Sequence, residues 1–114
     1  MLFKRREENV VEIHCNSKEF KKIIEENKVV VVDSWAKWCF PCLIYARSFK
    51  KAANRLAGRA LFAKVNVGEC YSLARKYKVF GVPTIMIFVN GKPKRRILGP
   101  VSDKALVRIV EEYL

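Results

Sequence analysis

The chain lacks any long hydrophobic run, and it has little cysteine. None of its apolar stretches approaches the ~20 residues that a membrane-spanning helix needs. Acidic residues follow the basic ones near its beginning, where a secretory signal would be apolar, so we expect a cytoplasmic protein with no membrane partner. Four cysteines are too few for a disulfide scaffold when 51% of 114 residues are hydrophobic. Without repeats or low-complexity linkers, residues 1–114 are expected to form one domain.

Acidic residues are scarce as well, and the net charge is +12 from 23 basic and 11 acidic side chains. Such an excess suggests nucleic acid, but no aromatic-interleaved binding motif accompanies it. We therefore expect a solvated basic surface. An acidic protein partner is the alternative, and a nucleic-acid partner is the least expected of the three. No dinucleotide fingerprint is present, so we expect the chain itself to hold no such cofactor. The basic residues fall in small groups, at 4–6, 18–22, 50–55, 75–78 and 92–96.

The hydrophobic pattern alternates between strands and helices. The run 29–34 is mostly valine, which is typical of a central strand buried on both faces. Asn16, with Glu19 three residues later, is typical of a capped helix start, and Asn90-Gly91 is a strong hairpin signal. The order βαβαβαββα predicts an α/β sandwich with helices on both faces of the sheet. The predicted strands cover 10–14, 29–34, 61–67, 84–89 and 95–98, and the helices follow Asn16, Cys39, Cys70 and Ser102.

Two cysteines, Cys39 and Cys42, stand three positions apart after the buried strand. A helix that begins at the first brings both sulfurs to its N-terminal turn, where free N–H groups and the helix dipole stabilise a thiolate. Such a pair can exchange with a substrate disulfide and then close on itself. The alternatives are a structural disulfide or half of a zinc site. Zinc needs four ligands and the spare candidates are His14, Cys15 and Cys70, so we expect no metal. We expect this helix to bury Ile44, Phe49, Ala52, Ala53 and Leu56.

The cysteine pair is one of several motifs that occur in order along residues 10–114. Asp33 precedes the run Trp35-Ala36-Lys37-Trp38-Cys39-Phe40-Pro41-Cys42, and Lys64, Gly81-Val82-Pro83-Thr84, Asn90-Gly91 and Gly99 follow it. Together these motifs resemble the thioredoxin family, whose active-site run has glycine in place of Phe40. The resemblance implies a thioredoxin-like three-layer α/β sandwich, with a central mixed sheet of about five strands flanked by four helices.

The resemblance also implies catalytic roles. Cys39, which the family exposes, attacks the substrate disulfide, and Cys42, one turn deeper, resolves the mixed disulfide. Asp33 stands where the family has a buried aspartate, whose raised pKa lets it take the Cys42 proton and return it. Lys64 stands where the family has a lysine that faces this aspartate and tunes the proton exchange. A purely structural buried pair is the alternative for Asp33 and Lys64.

An apolar rim around Cys39 is expected to be exposed and to dock protein substrates. Phe40, the departure from the family, either narrows the choice of substrate or widens this patch. If the Val82–Pro83 bond is cis, as the family's loop implies, the Val82 backbone can pair with an extended peptide. Core packing is the alternative for Leu98. The apolar rim consists of Trp38, Phe40, Pro41, Val82, Pro83, Leu98 and Gly99.

The other two cysteines, Cys15 and Cys70, follow strands that the family's sheet places side by side. We expect free thiols, buried as small hydrophobic groups. A bridge between them is the alternative, and it is excluded if the Cα atoms lie more than ~7 Å apart. His14 is expected to be an exposed residue at the end of its strand.

These residues and the resemblance predict a monomeric thiol-disulfide oxidoreductase that reduces protein disulfides through Cys39 and Cys42. Its electrons would come from a flavin thioredoxin reductase fed by NADPH, or from another donor, and would pass to disulfide-containing protein substrates. Two alternatives remain open. One is a disulfide-forming oxidant or isomerase, and the other is a redox-switched binding module whose basic face docks an acidic protein.

Overall fold

Within residues 9–114, which the computed structural model describes, five strands form one mixed sheet flanked by four helices. The predicted basic group at 4–6 lies outside the described residues. No helix within the described range is long and apolar enough to cross a membrane. The strands are β1 (Val10–Ile13), β2 (Val29–Trp35), β3 (Leu61–Asn66), β4 (Thr84–Val89) and β5 (Lys92–Leu98). The helices are α1 (Ser17–Glu26), α2 (Phe40–Arg55), α3 (Tyr71–Lys76) and α4 (Asp103–Glu111).

The sheet has the strand order β1-β3-β2-β4-β5. Strands β1, β3 and β2 pair in parallel, whereas β4 is antiparallel to both β2 and β5. Strand β2 therefore lies in the middle, and residues 29–34 are all buried, as the valine-rich run predicts. This mixed sheet with its helices confirms the predicted fold class.

The central strand divides the core into two layers. Val29 and Val31 pack in the layer that contains α2 and α4, whereas Val30 and Val32 pack in the layer of α1 and α3. Successive side chains of a strand point to opposite faces of the sheet. Asp33 continues the odd-numbered face, so its side chain points into the layer of α2.

The two helix caps predicted from the sequence are formed. Asn16 Oδ1 accepts hydrogen bonds from the Lys18 and Glu19 N–H groups, at 2.9 and 3.1 Å. Ser102 Oγ accepts one from the N–H three residues on, at 3.1 Å. Glu19 does not complete a capping box with Asn16, because its Oε1 accepts from the His14 N–H instead, at 3.2 Å.

Near its start, helix α2 buries a different residue from the one we expected. Ile44 is exposed, and Tyr45 takes the inward position, while the other predicted inward residues are buried. Positions 45, 49, 52 and 56 follow one face of a helix, at steps of four, three and four. The prediction for Ile44 was wrong because it was chosen by hydrophobicity and not by helical phase.

Strand β5 begins at Lys92, three residues before the predicted start at Arg95. It lies at the edge of the sheet and exposes residues 92–96. Pro93, which has no N–H to donate, pairs with Phe88 beside a shift in the register. The shortened prediction was wrong because an exposed edge strand tolerates the proline and charged residues that a central strand excludes.

Cys15 and Cys70 form a disulfide, so the expectation of two free, buried thiols was wrong. Because β1 pairs in parallel with β3, the segments that follow these strands lie at the same edge of the sheet. The two Cα atoms are 4.9 Å apart, well inside the bridging limit. Cys70 is buried but Cys15 is exposed, and the neighbouring His14 is exposed at the strand end as predicted.

Candidate redox-active site

A disulfide joins Cys39 and Cys42 at the start of α2. Strand β2 ends at Trp35, a short turn follows, and Cys39 is the N-cap residue of the helix. The Cys42 backbone N–H donates a hydrogen bond to Cys39 Sγ, with 3.2 Å between nitrogen and sulfur. When the disulfide is reduced, this N–H and the helix dipole favour a thiolate on Cys39. Pro41 lies in the first turn, where its missing N–H removes no helical hydrogen bond.

The cysteine pair is less accessible than we expected. Cys39 is only 5% exposed in this disulfide form, so the expectation of an exposed residue was wrong. Trp35, Ala36 and Val82 pack against the two cysteines. Because so little of Cys39 reaches the surface, an incoming disulfide has to fit closely against these neighbours.

The loop at 81–84 lies beside Cys39. Cys39 Sγ is 3.8 Å from the Val82 carbonyl oxygen, and the Val82–Pro83 peptide bond is cis. The Gly99 N–H donates a hydrogen bond to the Pro83 carbonyl oxygen at 2.8 Å, which holds the end of β5 next to this loop. Val82 and Gly99 are half-buried. Pro83 is buried, so its prediction as an exposed residue was wrong, because it directly precedes β4 and enters the core with that strand.

Large apolar side chains surround the cysteines. Trp38, Phe40 and Leu98 are exposed, which excludes core packing for Leu98, and Pro41 is exposed as well. Phe80 was not among the predicted rim residues, yet at 87% it is the most exposed large hydrophobic residue that the structure describes. A Cβ built on the next residue, Gly81, would lie 3.2 Å from Leu98 Cδ1, so this segment adjoins the apolar rim. The signal was an aromatic residue directly before the Gly-Val-Pro-Thr motif.

Asp33, in the central strand β2, is buried, at 2% exposure. Burial raises its pKa from 3.8 to about 7, and the positive charge of Lys64 partly opposes that rise. The sheet register places Lys64 directly beside Asp33. However, Lys64 Nζ lies 4.0 Å from Glu12 Oε1 and 5.5 Å from the centre of the Trp35 ring. Lys64 therefore acts on Asp33 as a nearby charge, while its ion pair is with Glu12.

Tyr45 is a second buried polar residue of this region, and it was not among the predicted site residues. It follows Cys42 by one helical turn and is 3% exposed. Its hydroxyl and Asp33 Oδ1 are buried, and neither has a hydrogen-bond partner among the described residues. Burial raises the pKa of the Tyr45 phenol, and the charge of Asp33 raises it further. The sequence signal was the helical phase that pointed to position 45 and not 44.

The zinc alternative loses its spare ligands in this fold. Cys15 and Cys70 are bonded to each other, and His14 has an exposed side chain. Within residues 9–114, no group of three or more His, Cys, Asp or Glu residues is arranged to hold a metal ion.

Known proteins resemble this chain over most of its length. Residues 11–112 match the thioredoxin family model. A thioredoxin of Mycoplasma pneumoniae is 38% identical over 95 residues, which cover 83% of this chain and 92% of that protein. A bifunctional thioredoxin reductase/thioredoxin of Mycobacterium leprae is 35% identical over 95 residues, which cover 83% of this chain and 21% of that protein. The solved structure of a mutant thioredoxin from Halobacterium salinarum has a TM-score of 0.84 and 30% identity, covering 91% of this chain and 89% of that one.

Fold, cysteine geometry and relatives point to the same chemistry. Neither the oxidant or isomerase alternative nor the redox-switched binding module is favoured by these findings. A pair of cysteines at a helix N-terminus, bonded to each other in one state, exchanges with protein disulfides when it is reduced. The chain belongs to the thioredoxin family and is a protein-disulfide oxidoreductase that works by dithiol–disulfide exchange through Cys39 and Cys42.

Proposed function

We propose that Cys39 is the attacking nucleophile and Cys42 the resolving thiol, with Asp33 as the base that serves Cys42. The observation that carries this assignment is the hydrogen bond from the Cys42 N–H to Cys39 Sγ, which favours the thiolate on Cys39. In the first step the Cys39 thiolate attacks one sulfur of the substrate disulfide, and the other substrate sulfur leaves as a thiolate. Cys39 is then joined to the substrate as a mixed disulfide.

In the second step Cys42 loses its thiol proton to Asp33 and attacks Cys39 Sγ. The second substrate sulfur leaves, so that the substrate has gained two electrons and the Cys39–Cys42 disulfide has formed. A pKa of about 7 suits Asp33 to this task, because both of its protonation states are then populated near neutral pH. The charge of Lys64 keeps that pKa from rising further, which is the tuning role that we propose for Lys64.

The apolar rim and Phe80 form the docking surface for substrate segments. An extended segment would place its disulfide over Cys39 and pair its backbone with Val82, whose carbonyl oxygen lies 3.8 Å from Cys39 Sγ. Exposed aromatic side chains such as Phe40 and Phe80 would cover apolar residues beside the substrate cysteine. In this proposal Phe40, which replaces a glycine of the family, adds contact area for such substrates.

Membership of the family implies a thioredoxin reductase as electron donor and disulfide-containing proteins as substrates. The reductase/thioredoxin fusion of M. leprae is a case in which the two activities share one chain. We place this protein in the cytoplasm, because thiol pools there keep exchange running toward reduction. We also expect it to be a monomer. The Cys15–Cys70 disulfide is unusual for that compartment outside heat-loving organisms, which makes its redox state in the cell a direct check on the localisation.

The first prediction concerns three proteins in an insulin-reduction assay. Wild type reduces insulin, Cys39→Ser is inactive, and Cys42→Ser stops at a mixed disulfide that can be isolated and sequenced. A Cys15→Ser/Cys70→Ser variant is the control, because it removes the other disulfide and keeps the Cys39–Cys42 pair. Activity retained in Cys39→Ser, or a trapped substrate on any residue but Cys39, would overturn the assignment.

A further inference from the structure

Three buried polar atoms of the described residues lack a hydrogen-bond partner, and two of them, Asp33 Oδ1 and the Tyr45 hydroxyl, lie in the core layer of α2. The third is the indole nitrogen of Trp35, at the end of β2. Asp33 belongs to the face of β2 whose valines, Val29 and Val31, pack in one cluster with Tyr45. Tyr45 lies on the inward face of α2, three residues after Cys42. The Tyr45 hydroxyl and Asp33 Oδ1 are both buried, and within residues 9–114 neither has a hydrogen-bond partner. A buried donor and a buried acceptor left unpaired are costly, and most such groups in folded proteins are satisfied.

The groups that face Asp33 differ in what they can offer it. From β3, Lys64 lies in register with Asp33, but its ammonium pairs with Glu12 of β1. From β4, the register partner is Ile85, which is apolar. The residues that α4 contributes to this layer, Leu106, Val107 and Val110, are apolar as well. On β2 itself, the Trp35 indole N–H is a second neutral donor, but its ring packs against the cysteines. Helix α2 supplies Cys42, whose proton is transferred, and Tyr45, whose phenol is a hydrogen-bond donor.

The phenol of Tyr45 remains protonated through the physiological range, because burial, followed by the charge of Asp33, raises its pKa. It therefore cannot take the Cys42 proton itself, and its contribution is the O–H that it can donate. An ionised carboxylate is an acceptor only, and a hydrogen bond to it favours the charged form. A neutral donor at this place stabilises the buried carboxylate without adding a second charge.

We propose that Tyr45 is a positioning residue of the exchange reaction, whose hydroxyl donates a hydrogen bond across one bridging water to the ionised Asp33 carboxylate. The inference rests on the proposed role of Asp33 as the base for Cys42. Cys42 gives its proton to Asp33, the Tyr45 hydroxyl keeps its own, and no additional reactant is needed. Tyr45 thereby sets the pH above which the resolving step runs at full rate.

The test is the titration of Asp33 in the reduced protein. Asp33 and Asp103 are the two aspartates of the chain, so carbon-13 labelling of aspartate gives two carboxyl signals, and Asp103→Asn assigns them. We expect Tyr45→Phe, which removes a single oxygen atom, to raise the Asp33 midpoint by about one pH unit. Tyr77→Phe is the matched control, because Tyr77 is a partly buried phenol in the other layer of the core. An Asp33 midpoint that Tyr45→Phe leaves unchanged would overturn the inference.

A second readout follows the rate at which the mixed disulfide is released. A midpoint raised by about one unit from near 7 makes the resolving step of Tyr45→Phe roughly fivefold slower at pH 7, and the rate recovers by pH 9. A merely structural role would lower the rate equally at every pH, which would contradict the inference. If Tyr45→Phe does not fold, the wild-type protein provides a second probe, the NMR signal of the Tyr45 ring carbon that bears the hydroxyl. Its NMR shift should follow the Asp33 titration, while the Tyr77 signal stays constant.

The two proposals fail in different ways. If Asp33→Asn leaves the resolving step unchanged, the base assignment is wrong, whatever Tyr45→Phe does to the titration. If Asp33→Asn slows that step but Tyr45→Phe shifts neither midpoint nor pH profile, the inference about Tyr45 alone is wrong.

Discussion

The chain carries two disulfides, and each places one cysteine at the N-cap of a helix. Cys39 caps α2 and Cys70 caps α3, yet only the Cys39 sulfur accepts a backbone N–H from its helix. Cys39 finds its partner three positions on, within the same helical turn, whereas 55 positions separate Cys15 from Cys70. The Cys39–Cys42 pair therefore differs from Cys15–Cys70 in three ways: an N–H hydrogen bond to the N-cap sulfur, a partner in the same helical turn, and the adjacent loop at 81–84.

The two bonds also differ in what they do for stability. Closing a loop of 55 residues restricts the unfolded chain by ~4 kcal/mol in the chain-entropy description, and the short loop of the exchange pair by roughly half of that. The exchange pair must open in every catalytic cycle, so a small contribution to stability is an advantage there. The Cys15–Cys70 bond ties the end of β1 to the start of α3 and can remain closed throughout.

The largest predicted effect is a difference in stability between two double variants. Cys15→Ser/Cys70→Ala should lower the free energy of unfolding by ~4 kcal/mol, because it releases the longer loop. Cys39→Ser/Cys42→Ala, its matched control, should lower it by less than half as much. Guanidinium denaturation of both variants under oxidising conditions measures the difference. Equal losses would show that loop length does not separate the two disulfides.

The second-largest predicted effect is the pH dependence that Asp33, near the Cys39–Cys42 pair in the chain, confers on the free energy of unfolding. Because the folded-state pKa of about 7 lies above the ordinary 3.8, the folded protein binds more protons than the unfolded chain between these values. Stability contributed by protonated Asp33 is thus full below pH ~4 and is lost as the pH rises through about 7. Asp33→Asn should therefore be more stable than wild type at pH 8, by an amount on the order of 3 kcal/mol, with a smaller difference at pH 5.

Thermal or chemical unfolding at the two pH values tests this prediction. The Cys15→Ser/Cys70→Ala variant is the control, since it removes no group that titrates between pH 5 and 8 when the bond is closed. Its loss of stability should be the same at both values. The prediction is wrong if the stability gained by Asp33→Asn is the same at pH 5 and pH 8. Neighbouring groups would then offset the cost of burying the ionised carboxylate.

The sequence was sufficient for the parts of this comparison that depend on local pattern. The valine run of β2, the cap at Asn16 and the Cys39–Cys42 spacing are each read within a few residues, because helix and strand periods are local properties. The resemblance to thioredoxins then implied the sheet, and it raised the possibility of a cis bond before Pro83, which the structure contains. The proposed roles of Asp33 and Lys64 came from the same resemblance and remain to be tested.

The sequence pattern did not predict the features that depend on contacts between distant segments. The Cys15–Cys70 bond depends on how β1 and β3 pair, and spacing along the chain does not reveal that distance. The burial of Pro83 and Cys39 depends on which neighbours close over them. Tyr45 was missed because a tyrosine beside an isoleucine looks like the more polar choice, although the phase of α2 requires position 45 to point inward.

The smallest predicted effect is on kcat/KM, and it distinguishes two exposed aromatic residues, one beside each disulfide. Phe80 lies next to the Gly-Val-Pro-Thr loop of the exchange site, whereas Tyr71 lines a surface cavity beside Cys15 and Cys70. Phe80→Ala should lower kcat/KM about fivefold for a peptide disulfide with leucine beside its cysteine, corresponding to about 1 kcal/mol of lost apolar contact. For a peptide with serine in place of that leucine, Phe80→Ala should lower kcat/KM much less. Tyr71→Ala should change neither value, and equal losses for both variants would refute a substrate contact specific to Phe80.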